Sequence, residues 1–279
     1  MSVEKDEFDY QDLRLIQGAE RDKLILAILK TIEADTHHIA SPERHAVWEK
    51  GWQERLQAFR ASRNEKDLIP QFIKPGMPVR WRQQFYHPSN PDHELNYVRM
   101  VQGHIGDFMA ECSSIHEFGC GTGFNLLALK RRYPNKSAIG YDFSPAAVAL
   151  TEDAGRELGV KGYTFDMAKP EIWPPALGDN AGVFTFGSVE QLGPHGFQKF
   201  SDYLIAQRPR VVVHIEPIPE LLDPTNLVDH LSLMFHRKRQ YTYGLLGYLH
   251  ERVQVVEAER SWFGSTMIES YAQIVWRAR

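Results

Sequence analysis

The sequence predicts an α/β protein: a seven-stranded, mostly parallel sheet with helices on both faces, an antiparallel closing hairpin, and an N-terminal helical extension. Three observations carry this. From residue 113 onward, short apolar runs alternate with stretches of helical spacing, the pattern of a parallel sheet covered on both sides. The run Ile115-His116-Glu117-Phe118 passes through Gly119-Cys120-Gly121-Thr122-Gly123 into Leu126, Leu127 and Leu129, reading as strand, tight turn and helix. Finally, two strand-like runs, 253–258 and 271–276, are joined only by a loop around Trp262-Phe263-Gly264 and so pair as a hairpin.

Taken in order, residues 1–19 are polar and read as an irregular arm. Residues 20–34 place Leu24, Ile25, Ile28, Leu29 and Ile32 at helical spacing. A second helix begins at Ser41-Pro42, a capping residue followed by proline at the first helical position, and carries a stripe of Val47, Trp48, Trp52, Leu56 and Phe59. That stripe reads as core packing, and also motivates a homodimer formed through these helices. Residues 68–93 hold six prolines or glycines that forbid a continuous helix, interleaved with Phe72, Arg80, Trp81, Arg82, Phe85, Tyr86 and His87. They read as an aperiodic connector packed on the core, or as a lid over a site. Residues 94–111 return to helical spacing and lead into the strand before the glycines. The division expected is therefore 1–94, helical extension and lid, and 95–279, the α/β domain.

Within that domain, helix 124–132 is followed by a turn at Pro134-Asn135 and by strand 137–142. Helix 145–158 is punctuated by Pro145 at its start and Gly159 past its end. Tyr163–Asp166 reads as a third strand, 181–186 as a fourth with helix 197–206 behind it, and 210–216 as a fifth ended by Pro217 and Pro219. Residues 224–250 hold one or two helices.

Composition narrows the class. Hydrophobic residues make up 43% and charged residues 24%, as in an ordinary soluble globular protein. A net charge of −4 argues against a general polyanion-binding surface, and hence against nucleic acid as a partner. Two cysteines, Cys112 and Cys120, make neither a disulfide framework nor a C-x-x-C metal pair. No apolar run reaches the ~18–20 residues that span a bilayer, and the acidic start lacks a signal peptide's layout. A cytoplasmic location with no membrane partner is the expectation.

The glycine turn carries the chemistry. Alternate glycines let a ligand approach the backbone, and the following helix aims free N–H groups at it. In an open α/β sheet the ligand lies beyond the carboxyl ends of the strands. Asp142 ends the second strand about 20 residues after the glycines, and Asp166 ends the third. Each has a purely structural reading, as a helix cap or a turn residue. The spacing differs from the dinucleotide fingerprint G-x-G-x-x-G, whose third glycine comes one residue later.

The pattern Glu-x-Gly-x-Gly-x-Gly at 117–123, with Asp142 and Asp166, resembles motif I and the following strand ends of the class I S-adenosylmethionine (SAM)-dependent methyltransferases. The resemblance covers roughly residues 95–279. It implies a Rossmann-like sheet whose last strand is antiparallel, SAM as cofactor and S-adenosylhomocysteine as product. It further implies that Glu117, Gly119, Cys120, Gly121 and Gly123 line the amino-acid part of the cofactor. Asp142 would take the ribose hydroxyls, and Asp166 the adenine amino group, with Phe143 or Met167 packing on the base.

Methyl transfer from a sulfonium needs orientation, and a hydroxyl acceptor also needs a base. The strand ends supply Glu190, His195, His214 and Glu216, with Glu190 and His214 foremost. No spacing motif supports a metal. The loop after the fourth strand lacks the Asn/Asp-Pro-Pro-Tyr/Phe of methyltransferases acting on planar nitrogens. The segment Phe235–Tyr243 joins basic and aromatic residues, and Arg237 or Arg239 is placed to meet a phosphate or carboxylate. The C-terminal half is loosely similar to bacterial sugar O-methyltransferases of biosynthetic pathways. The leading expectation is thus transfer to a small-molecule hydroxyl of a sugar or secondary metabolite. The alternatives are N-methylation of an amine, amino acid or peptide, methylation of nucleic acid, and a non-catalytic SAM-fold scaffold.

Overall fold

The computed structural model describes residues 10–36, 42–172, 175–267 and 271–279. Its centre is a seven-stranded sheet of β4 (Ser114–Phe118), β5 (Ser137–Asp142), β6 (Lys161–Thr164), β7 (Ala181–Phe186), β8 (Val211–Glu216), β9 (Gln254–Glu259) and β11 (Ala272–Arg277). The spatial order is β6-β5-β4-β7-β8-β11-β9. β4 to β8 run parallel, and β11 is inserted antiparallel between β8 and β9. Strand order reverses at β4, so the turn after it opens into the crevice between the β5 and β7 connections.

Alternation along the strands feeds two cores. On one face, Ile115, Phe184, Val213 and Val275 pack beneath α3 (His93–Met109) and α4 (Phe124–Arg132) through Val101, Ile105 and Leu127. On the other, Phe118, Val183, Val212 and Trp276 pack with Phe197, Phe200 and Leu204 of α6 (Gly193–Gln207) and with Leu245 and Leu249 of α8 (Leu245–Arg252). Both faces are apolar, which is why the parallel strands read as continuous hydrophobic runs. No helix among the described residues is long and apolar enough to cross a membrane.

The segment expected to be aperiodic forms strands. β2 (Val79–Trp81) and β3 (Gln84–Pro88) are a hairpin, joined by Arg82 and Gln83 at φ of 45° and 61°. Positive φ at both central residues matches the twist of a two-residue hairpin turn, without the glycine or asparagine that usually signals one. Two further expectations change with it. Leu13–Leu15, within the expected irregular arm, is β1 and pairs with β3. Phe263–Ser265, within the expected hairpin loop, is β10 and pairs with β2. The result is a second sheet, β1-β3-β2-β10, that ties the N-terminal segment to the C-terminal one. Arg80, fully buried, fastens it by donating to the carbonyls of Val228 and Thr266 at 2.6 and 2.9 Å.

Above the sheet lie α1 (Gly18–Ala34), packed on α7 (Leu227–Arg239), and α2 (Pro42–Ser62), packed on α5 (Pro145–Gly155). The Ser41 cap expected for α2 lies outside the described residues. α2 is pinned by Arg60 to Asp153 at 2.6 Å, and by the Ser144 hydroxyl donating to Glu49. Smaller shifts complete the comparison. The third strand is Lys161–Thr164, so Asp166 stands two residues past it, and α6 starts at Gly193, which puts His195 in its first turn.

Candidate functional site

The floor of the site is the turn after β4. Gly119 and Gly121 adopt φ of +73° and +52°, which L side chains rarely do. A Cβ at Gly119 would lie 2.4 Å from the Ser188 side chain, and one at Gly121 would lie 3.0 Å from the Trp52 ring. Gly123 caps α4 in the left-handed conformation. Glu117 is buried behind the turn, where it accepts from Asn125 Nδ2 and from the Leu126 N–H, both at 3.1 Å. Its carboxylate thereby closes the strand onto the helix start, and burial pushes its pKa up to about 8. Cys120 points away from the cavity toward Thr151 Oγ1 at 3.5 Å, and burial pushes its thiol up. Only its backbone belongs to the turn.

The walls come from the next strand ends. Asp142 Oδ2 accepts the Gly121 N–H and Oδ1 the Ser144 N–H, each at 3.0 Å. Burial lifts this carboxyl to about 6 against the pull of those two donors, and the Glu49 carboxylate adds to the rise. Asp166 accepts the Ala168 N–H at 2.9 Å and shares a narrow cavity of about 60 Å³ with Gly119, Asp142, Phe143 and Met167. Five of the nine residues expected to hold a cofactor therefore converge on one space.

The roof was not legible from the sequence. Arg44, His45 and Trp48 of α2 line the cavity. His45 stacks on Phe143 at 4.5 Å between ring centroids, and Trp48 stacks on Trp52 at 5.6 Å. The stripe read as core packing divides: Leu56 and Phe59 enter the core, whereas Trp48 lines the cavity and Trp52 lies on the glycine loop. The overlooked signal was that Arg44, Trp48 and Trp52 recur every four residues, with His45 and Glu49 beside them. Phe165, Ser188 and Gln191 also line the cavity and had not been singled out.

The candidate bases separate. Glu190 lies in the short helical turn Val189–Leu192 after β7 and is buried. Its Oε1 accepts from Gln191 Nε2 at 2.8 Å, and its Oε2 has no partner. Burial first, then the neighbouring Glu216 carboxylate and a hydrogen bond shared with it, push its pKa well above the ordinary range. Glu216 faces the same turn from β8 and accepts the N–H groups of Ser188 at 3.0 Å and Glu190 at 3.3 Å. The turn is also clamped from above by the Thr242 hydroxyl, which donates to the Val189 and Gly193 carbonyls at 2.8 and 3.0 Å.

His214 is not at the cavity. Trp276 Nε1 donates to its Nε2 at 3.0 Å, which leaves the proton on Nδ1, 2.9 Å from Thr185 Oγ1. Both nitrogens are engaged inside the sheet, and burial drives its pKa down to about 3. Alternation did put His214 and Glu216 on one side, but only Glu216 reaches the strand end. His195 is exposed on α6 and does not line the cavity. Of the two arginines proposed for an acidic substrate group, Arg237 is exposed, whereas Arg239 turns inward to Asp35 at 2.6 Å and the Tyr241 hydroxyl at 3.2 Å.

Residues 115–204 match a family model described as a methyltransferase domain. No curated protein matches the chain by sequence. Among solved structures, the geranyl diphosphate C-methyltransferase from Streptomyces coelicolor A3(2) is 15% identical with a TM-score of 0.54, covering 86% of this chain and 100% of that one. The PH0226 protein from Pyrococcus horikoshii OT3 is 10% identical with a TM-score of 0.51, covering 67% and 92%. The O-methyltransferase family 2 protein from Planctomyces limnophilus DSM 3776 is 12% identical with a TM-score of 0.47. It is matched over 67% of this chain and 60% of its own length. For the first two, at these identities, the likeness is one of fold alone. The matched model covers residues 115–204 only, and the sheet order and the Glu-x-Gly-x-Gly-x-Gly turn agree with the methyltransferase domain that it describes.

Proposed function

We propose that this protein binds SAM between the glycine turn and α2 and transfers its methyl group to a hydroxyl of a polar, sugar-like small molecule. The residues fit the cofactor. Gly119 brings bare backbone to the cavity wall for its amino-acid part, whereas Gly121 lies under the Trp52 ring, which must move for the cofactor to reach it. Asp142 keeps a lone pair on each oxygen for a ribose hydroxyl after accepting its two backbone bonds. Phe143, Phe165 and Met167 offer apolar surface to the base, beside Asp166. In this reading residues 1–94 roof the site and residues 95–279 form the catalytic domain.

SAM supplies the activated methyl group and leaves as S-adenosylhomocysteine. The chain's own residues orient the acceptor and take its proton. Glu190 holds an unpartnered carboxyl oxygen one residue from Gln191, which lines the cavity. That atom is the observation that carries the reading: it is buried without a donor beside a residue of the cavity wall, and a substrate hydroxyl would satisfy it once the turn Val189–Leu192 opens toward the cavity. As the oxygen–methyl bond forms and the sulfur–methyl bond breaks, the hydroxyl proton passes to Glu190. Glu190 takes that proton in its ionised form, which burial and the neighbouring Glu216 make a stronger base than an ordinary carboxylate. Glu216 acts through the backbone, fixing the turn that presents Glu190.

The test is incubation with methyl-labelled SAM and an extract split into small-molecule and peptide fractions, repeated with Glu190→Gln. Label should enter hydroxylated small molecules, and Glu190→Gln should lower kcat by about 10²-fold or more while S-adenosylhomocysteine binding stays within about threefold. Label confined to peptides, or a Glu190→Gln variant as active as the parent, overturns the hydroxyl reading.

A further inference from the structure

One serine touches both the roof and the wall of the donor site. Ser144 is fully buried and caps the N-terminus of α5. Its N–H donates to Asp142 Oδ1 at 3.0 Å, and its hydroxyl donates to Glu49 Oε2 on α2. The hydroxyl oxygen also accepts the Ala147 N–H at 3.1 Å, so its single proton is left for Glu49. Glu49 is oriented in turn by Gln53 Nε2, which donates to its Oε1 at 3.0 Å. Both oxygens of Glu49 are thus held, one from its own helix and one from across the site.

This chain of contacts reaches the cavity at both ends. Asp142 lines it from the sheet, and Trp48, next to Glu49 in α2, lines it from the roof. Glu49 itself does not line it. The other tie of α2 to α5, Arg60 to Asp153, lies near the far end of the helix and involves an exposed arginine. Water and salt screen such a pair. The tie through Ser144 ends on a buried group and stands beside the roof residues. Charge acts at the same place. Asp142 is faced by Glu49 from α2, by Glu117 from β4 and by the Cys120 thiol, and it shares the cavity with Arg44, His45 and Asp166. Burial raises the proton affinity of Asp142 most, and Glu49 adds to it. By donating to each carboxylate, Ser144 lets the two stand close together.

We propose that Glu49 is a positioning residue for the methyl donor: through Ser144 it latches α2, closed over the cofactor, to the strand end that carries Asp142. Without the latch the roof closes less firmly and the donor leaves faster. This rests on the proposed SAM site beneath α2, and it is tested by binding alone. The full chain is titrated with S-adenosylhomocysteine by calorimetry between about pH 5 and 8. Glu49→Ala, Ser144→Ala, their double variant, Glu49→Gln and Arg60→Ala are measured beside it.

At about pH 8, Glu49→Ala and Ser144→Ala should each bind at least tenfold more weakly than the parent. The double variant should bind within about threefold of the weaker single variant, because both substitutions break the same contact. Glu49→Gln keeps an oxygen that can accept from Ser144, and should bind at least threefold more tightly than Glu49→Ala. Affinity falls as Asp142 takes up a proton, and removing a neighbouring like charge lowers the pH at which it does so. The fall in Glu49→Gln should therefore begin at lower pH than in the parent, whereas Arg60→Ala should leave it in place. Single variants that bind within threefold of the parent overturn the latch, as do losses that multiply in the double variant. A Glu49→Gln profile that coincides with the parent's overturns it too. Failure of the parent itself to bind S-adenosylhomocysteine would instead count against the site beneath α2.

Discussion

Replacing Asp142 by Asn removes one oxygen from the group that organises the donor site. In the parent, each carboxylate oxygen accepts one backbone N–H, from Gly121 and Ser144 at 3.0 Å, and keeps capacity for one ribose hydroxyl. An amide has one oxygen, so one backbone N–H and one ribose hydroxyl lose their acceptor, and the remaining bonds lose the full negative charge. Hydrogen bonds to a charged group contribute about 1.5–3 kcal/mol each. Loss of one, with weakening of the other, is about 3 kcal/mol, or about 10²-fold in the dissociation constant of S-adenosylhomocysteine. Calorimetry on the folded variant reads this directly. The parent supplies an independent check through pH, because its Asp142 carboxyl sits at about 6. Below that value it takes up a proton and loses an acceptor, so affinity should fall by up to about tenfold per pH unit, whereas the Asn variant should show no such step. A variant that binds within threefold of the parent, together with a flat parent profile from pH 7 to 5, would refute the role given to Asp142.

Three further outcomes follow from the same structure. His214→Ala leaves the Trp276 N–H unpaired and a void in the sheet, so unfolding should cost about 2–4 kcal/mol less by chemical denaturation, with kcat within about threefold of the parent. A loss of catalysis with unchanged stability would restore His214 as a base. Glu94 is buried beside the Tyr271 hydroxyl, and its pKa rises from 4.5 to about 7. The folded state therefore holds a proton that the unfolded state releases, and stability should fall as pH rises from about 4.5 to about 7. The total is up to about 3 kcal/mol, and Glu94→Gln should flatten it in urea melts. Because the cavity beneath α2 holds only about 60 Å³, a nucleoside-sized ligand must move the side chains that roof it, Arg44, His45 and Trp48 among them. S-adenosylhomocysteine should accordingly change the emission of Trp48 and Trp52, and a spectrum unaltered at saturation would count against a site under α2.

The sequence was most informative where local chemistry and global fold agree. Strands 137–142 and 181–186 and helix 124–132 fall where apolar runs, Pro134 and Gly123 mark their limits. The glycine turn and its carboxylates were equally legible, since positive φ and close approach demand glycine itself. The second sheet was not. Its strands are three to five residues long, and its turn is Arg82-Gln83, held at positive φ by tertiary pairing between segments nearly two hundred residues apart. The roof was legible only in part, for a related reason: Leu56 and Phe59 pack in the core as expected, whereas Trp48 and Trp52 do not. Tryptophans at helical spacing report burial but not what they cover, and here they cover a loop that comes later in the chain. His214 shows the limit of strand alternation, which gives the side of the sheet but not the depth at which a side chain stops.

The central claim is that the space between the glycine turn, Asp142 and α2 takes SAM. Titration of the full chain with S-adenosylhomocysteine by calorimetry tests it most directly. One site per chain, weakened by Asp142→Asn and by Gly119→Ala, is the result this account requires. A folded protein that shows no heat of binding and no thermal stabilisation at millimolar ligand would contradict it.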